Sequence, residues 1–357
     1  MSSVRSSSRS AVPRKLTHTL IAAPILAFLA LWADSAIAES QAMAILADDR
    51  PLQKAVELPE WIEPAPFDLS ARLDQARSTG KKGLLLYVGQ SDCPYCKAHL
   101  ERNWGRPKLA EQTRANFDVL AIDVQGQQPL IDFEGRQLTE SVLAQTLNVV
   151  LTPSFVFIDQ TGKPALRLEG YHDHARFRKA LDYVAKGHYR KHSFREYVRR
   201  GSDLQLAAFE ASTTLDQVGK LALDAQLLDR SEVPAKKPLL VFFEGAECGD
   251  CERLADGPLE DGKIARMIER VETAHIDMES AAPVLTPDGR LLTARAWAKR
   301  LGLFHAPTLM FFDVHGREIL RVESPVSYYR LNDVLEYVLS DAYPSANFQV
   351  WRREHGR

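Results

Sequence analysis

The sequence repeats itself once, at a separation of 154 to 155 positions. Leu84-Leu85-Leu86 meets Leu239-Leu240-Val241, Cys93 and Cys96 meet Cys248 and Cys251, and Ile122-Asp123 meets Ile276-Asp277. The register then holds through Gly135-Arg136 with Gly289-Arg290, Leu138-Thr139 with Leu292-Thr293, Pro153 with Pro307, Gly162 with Gly316 and Tyr183-Val184 with Tyr337-Val338. A period this long is a whole domain and not a solenoid turn. The units run over about residues 57–201 and 215–357, joined by a polar linker over 202–214 that begins at the Gly201-Ser202 break.

The first 38 residues stand outside both units. Arg5, Arg9, Arg14 and Lys15 precede an apolar run from Leu20 to Trp32, and Ala36-Ile37-Ala38 supplies small residues for cleavage, so 1–38 reads as a signal peptide. The run is too short to span a bilayer core of about 30 Å. Its removal leaves 41 basic and 46 acidic side chains, a net charge of −5. Such a surface gives no reason to expect nucleic acid. The expected compartment is the periplasm, where conditions favour disulfides.

Within each unit, short continuous apolar runs alternate with amphipathic stretches, the pattern of buried strands flanked by helices. In the first unit, Leu84–Val88, Val119–Val124, Ser154–Ile158 and Ala165–Leu168 read as strands. Helices are expected from Pro94, over Pro107–Phe117, over Thr139–Leu147 and from near His174. The second unit repeats the order β-α-β-α-β-β-α. The fold class is therefore α/β, with two tandem mixed sheets that each carry helices on both faces.

The chemistry falls at Cys93-Pro94-Tyr95-Cys96, directly after the first strand. Pro94 suits the first helical position and makes Cys93 the N-cap. Its sulfur then faces unpaired backbone N–H groups, which stabilise a thiolate. Cys93 reads as the exposed nucleophile and Cys96 as the buried resolving thiol. A purely structural role for so short a loop gains little chain entropy. Covalent haem needs a histidine after the second cysteine, where Lys97 and Glu252 stand. Zinc has four possible ligands, but they lie at equivalent places in two separate units. No metal or cofactor is expected. A second shared element is Thr152-Pro153, 60 residues after Cys93 at the proline, with Ala306-Pro307 at 59 after Cys248.

Taken together, the strand, the CxxC at a helix start, the Ile-Asp strand end and the X-Pro before a hairpin resemble the thioredoxin superfamily, in two copies covering residues 57–357. With Phe133, Gly135, Thr139, Gly170-Tyr171 and the closing helix, the first copy is most similar to periplasmic thioredoxins associated with sulfur oxidation and thiol supply. The resemblance implies catalytic Cys93, Cys96, Cys248 and Cys251. It also implies a cis Pro153 beside Cys93, a Thr152 backbone that pairs with extended substrate, and a contact surface of Pro94, Tyr95, Gly170, Ala306 and Pro307. Partners would be protein or small-thiol disulfides, with a membrane thiol as electron donor.

The departures from that family are specific. Tyr87 and Phe242 replace the buried aspartate that serves as proton acceptor, which leaves water or Lys97 for Cys96. In the second unit, Glu247, Asp250 and Glu252 surround the cysteines, Gly249 replaces proline and Ser324 replaces the surface glycine. Negative neighbours disfavour a thiolate, so Cys248/Cys251 is expected to be the more reducing pair and to pass electrons to Cys93/Cys96. The alternatives are a disulfide oxidase or isomerase, and a non-catalytic partner-binding module. His99 reads as surface, and Arg190, Lys191, Arg195, Arg199 and Arg200 as the solvated face of a terminal helix.

Overall fold

The computed structural model describes residues 48–199, 225–246 and 248–356. The expected leader (1–38) and linker (202–214) lie outside them. The first half contains β1 (Glu63–Pro64), α1 (Leu69–Ser78), β2 (Gly83–Gly89), α2 (Pro94–His99, continued by a π-helical turn over Leu100–Trp104), α3 (Pro107–Asn116) and β3 (Phe117–Asp123). It continues with β4 (Pro129–Ile131), β5 (Gln137–Thr139), α4 (Glu140–Thr146), β6 (Ser154–Asp159), β7 (Pro164–Glu169), α5 (His174–Ala185) and α6 (Phe194–Arg199). The main sheet has the order β1-β3-β2-β6-β7, with β2 parallel to β3 and antiparallel to β6.

In the second half come β8 (Gln226–Leu227), β9 (Leu239–Glu244), α7 (Gly249–Ala255), α8 (Gly262–Ile268), β10 (Glu272–Asp277), β11 (Pro283–Leu285) and β12 (Leu291–Thr293). After them follow α9 (Ala294–Arg300), β13 (Thr308–Phe312), β14 (Glu318–Val322), α10 (Tyr328–Leu339) and α11 (Phe348–Glu354). Its sheet, β10-β9-β13-β14, repeats the four main strands of the first. The two mixed sheets are those the sequence leads one to expect. Helix α1, the two-residue strands β1 and β8 and the three-residue hairpin strands β4/β5 and β11/β12 are additions to the elements expected from the sequence.

Alternation along β2 builds two cores. Leu85 and Tyr87 face α2, α3 and α5, whereas Leu84, Leu86 and Val88 face α1 and α4. All seven residues of β2 are buried, which is what a central strand covered on both faces requires. The two halves also enter each other's cores. Leu151 and Val150, just before the first X-Pro bond, pack into the second domain, and Phe304 from the matching segment packs into the first.

Two expectations fail here. His99 is fully buried, with its ring between Trp104 (centroids 4.6 Å apart), Phe155 (4.3 Å) and Phe177 (4.5 Å). Arg195 is 5% exposed, and its guanidinium donates to the Leu303 carbonyl of the other domain. Neither is a solvated surface residue, because each is covered by elements distant in the chain.

Candidate active site

Helix α2 starts as its sequence dictates. Cys93 is its N-cap, in extended backbone, Pro94 occupies the first turn, and the Cys93 Sγ accepts from the Cys96 backbone N–H at 3.0 Å. Cys93 and Cys96 form a disulfide with Cα atoms 5.2 Å apart. The Thr152–Pro153 bond is cis. It brings the Thr152 Oγ1 to 3.4 Å and the Thr152 carbonyl oxygen to 3.6 Å from the Cys93 Sγ. Gly170, at φ +79°, donates its N–H to the Pro153 carbonyl at 2.8 Å, so the cis-proline turn and the end of β7 are locked together.

The second site is a looser copy. Cys248 caps α7, Cys251 donates its N–H to the Cys248 Sγ at 3.1 Å, and the two form a disulfide. Ala306–Pro307 is cis. Cys248 and Cys251 are both partly exposed, and Asp250 on the first turn is paired with Arg253. The structure thus gathers Cys93 and Cys96 with Pro94, Tyr95, Thr152, Pro153 and Gly170 in the first domain. In the second, Ala306, of the Ala306–Pro307 turn, lies close to Gly245, three residues before Cys248.

Exposure is where the first site departs from expectation. Cys93 is only 5% exposed and Cys96 not at all: Cys96 lies in the first domain's own core, and α10 of the second domain walls the cavity at Cys93. Tyr95, 2% exposed, donates its hydroxyl to Asp49 at 3.0 Å and accepts the Ser327 backbone N–H at 2.9 Å. The Arg330 guanidinium stacks 3.6 Å above the Tyr95 ring and donates from Nη2 to the Thr152 carbonyl at 2.6 Å. Asp49 accepts from the Tyr329 and Arg330 backbone N–H groups at 2.8 and 2.9 Å, which gives α10 the cap that its own Ser327 side chain does not supply. The segment before β1 is tied down alongside: Leu52 donates to the Asp92 carbonyl and Val56 to the Ser91 carbonyl, at 2.8 and 2.7 Å. What remains is a cavity of about 340 Å³ that reaches Cys93 and is walled by Gln90, Asp92, Tyr329, Arg330 and Arg352.

The sequence reading missed Asp49, Ser327 and Arg330. The one signal for Arg330 is its repeat equivalent Arg176, whose guanidinium points at His305 of the second domain's cis-proline segment. Burial pushes the Tyr87 phenol up, so it stays protonated where the family's aspartate would stand. Lys97, the side chain expected besides water to carry a proton for Cys96, is 43% exposed and lies 3.9 Å from Glu101. Burial holds His99 well below the usual imidazole range.

A disulfide-forming CxxC at a helix N-terminus and a cis X-Pro bond just before a sheet strand, both made twice on mixed sheets, define a pair of thioredoxin folds. The chain belongs to the thioredoxin-like family: its model, described as "Thioredoxin-like domain", matches residues 69–185 and 231–339. No curated protein matches the chain. Among solved structures, it is similar to a thioredoxin-fold protein from Helicobacter pylori, with 21% identity over 35% of this chain and 87% of that one and a TM-score of 0.31. A thioredoxin from Thermus thermophilus shares 26% identity over the same fractions, with a TM-score of 0.27. The C-terminal domain of DsbD from Neisseria meningitidis shares 18% over 32% of this chain and 99% of that one, with a TM-score of 0.21. The fold is that of thioredoxin-like oxidoreductases, with a CxxC pair in each domain, and this supports the thiol-disulfide oxidoreductase class.

Proposed function

We propose that the protein is a periplasmic thiol:disulfide oxidoreductase that reduces substrate disulfides through Cys93/Cys96 and recharges that pair from Cys248/Cys251. The observation that carries this reading is the Cys93 sulfur, held between the Cys96 N–H and the cis Thr152–Pro153 turn. In the reduced protein, the Cys93 thiolate attacks one sulfur of the substrate disulfide and releases the other as a thiol. Cys96, on losing its proton, then attacks the Cys93 Sγ of the mixed disulfide. The second substrate thiol leaves, and Cys93–Cys96 is left oxidised, two electrons having passed to the substrate. Thiolate attack from Cys248 on that disulfide restores the Cys93/Cys96 dithiol and oxidises the second pair, which a membrane thiol donor would then reduce. The acid-rich second site supports the second pair as the more reducing.

Arg330 holds the Thr152 carbonyl that an extended peptide would use. A protein substrate therefore reaches Cys93 when α10 withdraws, whereas a small disulfide can use the 340 Å³ cavity of the closed form. The test is an electron count. Fully reduced protein, freed of reductant and given excess insulin, should deliver two electron pairs per chain, C248S/C251S one pair, and C93S none. Delivery by C93S would break the proposed order of transfer. Absence of any insulin reduction by the parent protein, with both disulfides resisting titration in dithiothreitol buffers, would refute the oxidoreductase reading.

A further inference from the structure

The first redox pair sits beside a cation contributed by the other domain. Arg330, at the start of α10, has its Nη2 2.6 Å from the Thr152 carbonyl oxygen, and the Cys93 Sγ lies 3.6 Å from that same oxygen. Sharing this oxygen, the two atoms are at most 6.2 Å apart. One face of the guanidinium is covered by the Tyr95 ring at 3.6 Å, and the Nη1 is buried with no hydrogen-bond partner. A buried cationic N–H without an acceptor is costly unless some state of the protein supplies an anion. With the cysteines oxidised there is none at Cys93. Reduction creates one there, a thiolate on the Cys93 sulfur.

We infer that Arg330 is the electrostatic partner of the Cys93 thiolate, so that the first redox site is completed by a side chain of the second domain. This rests on the reading that Cys93/Cys96 cycles between disulfide and dithiol. Four other charged groups line the same cavity: Asp92 in the loop before α2, Asp49 in the segment before β1, and the Asp333–Arg352 ion pair of α10 and α11, 3.3 Å apart. Asp49 is occupied by three donors, from Tyr95, Tyr329 and Arg330. Arg352 is spent on Asp333 and on the Gln90 amide oxygen. Arg330 is the cation at this site with a buried N–H left without an acceptor. An opposite charge within about 6 Å favours the charged form of its neighbour by one or more pKa units. By favouring the thiolate, Arg330 stabilises the reduced form and makes the first pair the more oxidising one, the sense that electron transfer from the second pair requires.

The experiment follows Cys93 alkylation by iodoacetamide against pH in the fully reduced chain, reading each cysteine by peptide mass, together with the redox potential of each pair. In R330Q and R330M, the Cys93 midpoint is expected to rise by about one pH unit, so that about tenfold less thiolate is present below it. The potential of Cys93/Cys96 should fall by about 30 mV, the equivalent of that factor of ten for a two-electron couple. The Cys248 profile should not move. R330K, which restores the charge but not the fork, should recover most of the shift. Two neutral replacements of different shape keep the outcome independent of one variant's failure to fold, and each is compared with the parent by thermal melt. An unchanged Cys93 midpoint in a folded neutral variant, or equal shifts at Cys93 and Cys248, overturns the inference and leaves the oxidoreductase reading intact. A Cys93/Cys96 pair that does not titrate in the parent protein overturns both.

Discussion

Acid should loosen the junction between the domains through two buried imidazoles. His172 and His305 are 2% and 4% exposed, with rings 6.1 Å apart, and His172 also faces Phe304 of the other domain. Arg176 donates to the His305 Nδ1, so this ring is neutral and its remaining proton is on Nε2. Burial and the Arg176 charge hold His305 well below its ordinary value, and burial drives His172 down to about 3. A group whose pKa is depressed in the closed form contributes stability that is complete above its free value near 6.5 and is lost as the pH falls below it. Each imidazole then costs about 1.4 kcal/mol per pH unit, and the two together about 2.7. Glu169 opposes them. Burial pushes its carboxyl up to about 7, with the Glu323 charge adding to this, so it favours the closed form increasingly as the pH falls from about 7 toward 4.5. At about 1.4 kcal/mol per unit it cancels one imidazole. His99, also depressed by burial, and Glu323, also raised by it, act in opposite senses, and each imidazole is only half-titrated at its free value, so the net expectation between pH 6.5 and 5.5 is a loss of about 1 kcal/mol. Urea midpoints from tryptophan fluorescence at pH 7.5, 6.5 and 5.5, with the radius of gyration from X-ray scattering, measure it. H172Q/H305Q should reverse the sign of the slope, and E169Q should steepen it to about 2 kcal/mol over that unit. A parent protein whose stability is flat or rises over that interval, or an H172Q/H305Q slope equal to the parent's, would refute the reasoning.

Further outcomes follow from contacts at the first site. D49A removes the acceptor of three hydrogen bonds and uncaps α10, so a loss of about 2 to 4 kcal/mol in urea unfolding is expected, with D49N intermediate because its amide oxygen still accepts. At Gly170, a Cβ would lie 2.1 Å from the Ser324 Oγ in backbone that favours glycine, φ +79°. G170A should therefore weaken the domain contact, measured as a lower thermal midpoint. Pairing it with S324G should recover the steric part of the loss but not the backbone part.

What was legible in the sequence was mostly local. The start of α2 follows from Cys93 and Pro94 alone, because an N-cap and its first turn are made by residues within four positions. The buried strands follow from unbroken apolar runs, and the matched X-Pro pairs from the repeat. Helix α1 carries only a weak apolar pattern, with Leu69, Leu73 and Ala76 buried among polar residues. Strands of three residues such as β4 and β5 are too short to show a period. Beyond that, burial of His99, Arg195 and Cys93 is decided by partners far along the chain. Arg330 reaches Thr152 across 178 positions and Ser327 reaches Tyr95 across 232. No window of sequence contains both members of such a contact.

The repeat nevertheless holds the key to that arrangement, because the contacts between the domains are made by matched residues. Arg167 and Arg321, one period apart, each hold a carbonyl and a carboxylate of their own domain, Leu147 with Glu169 and Leu301 with Glu323, and the charges of Arg321 and Glu323 act on Glu169 across the junction. Gly170 lies against its own counterpart, Ser324. Arg176 and Arg330 each reach the segment before the other domain's cis-proline. Such self-complementary matching is what an isologous contact between identical subunits produces, here within one chain. A duplicated chain can change one side of each matched pair alone, which an identical dimer cannot. Where Leu151 stands before Thr152, His305 stands before Ala306, so Arg330 is free to bind a carbonyl beside Cys93 while Arg176 is drawn to a neutral imidazole. The same arginine thus serves unlike surroundings, and the two redox pairs differ for reasons that lie in the opposite domain as much as in their own.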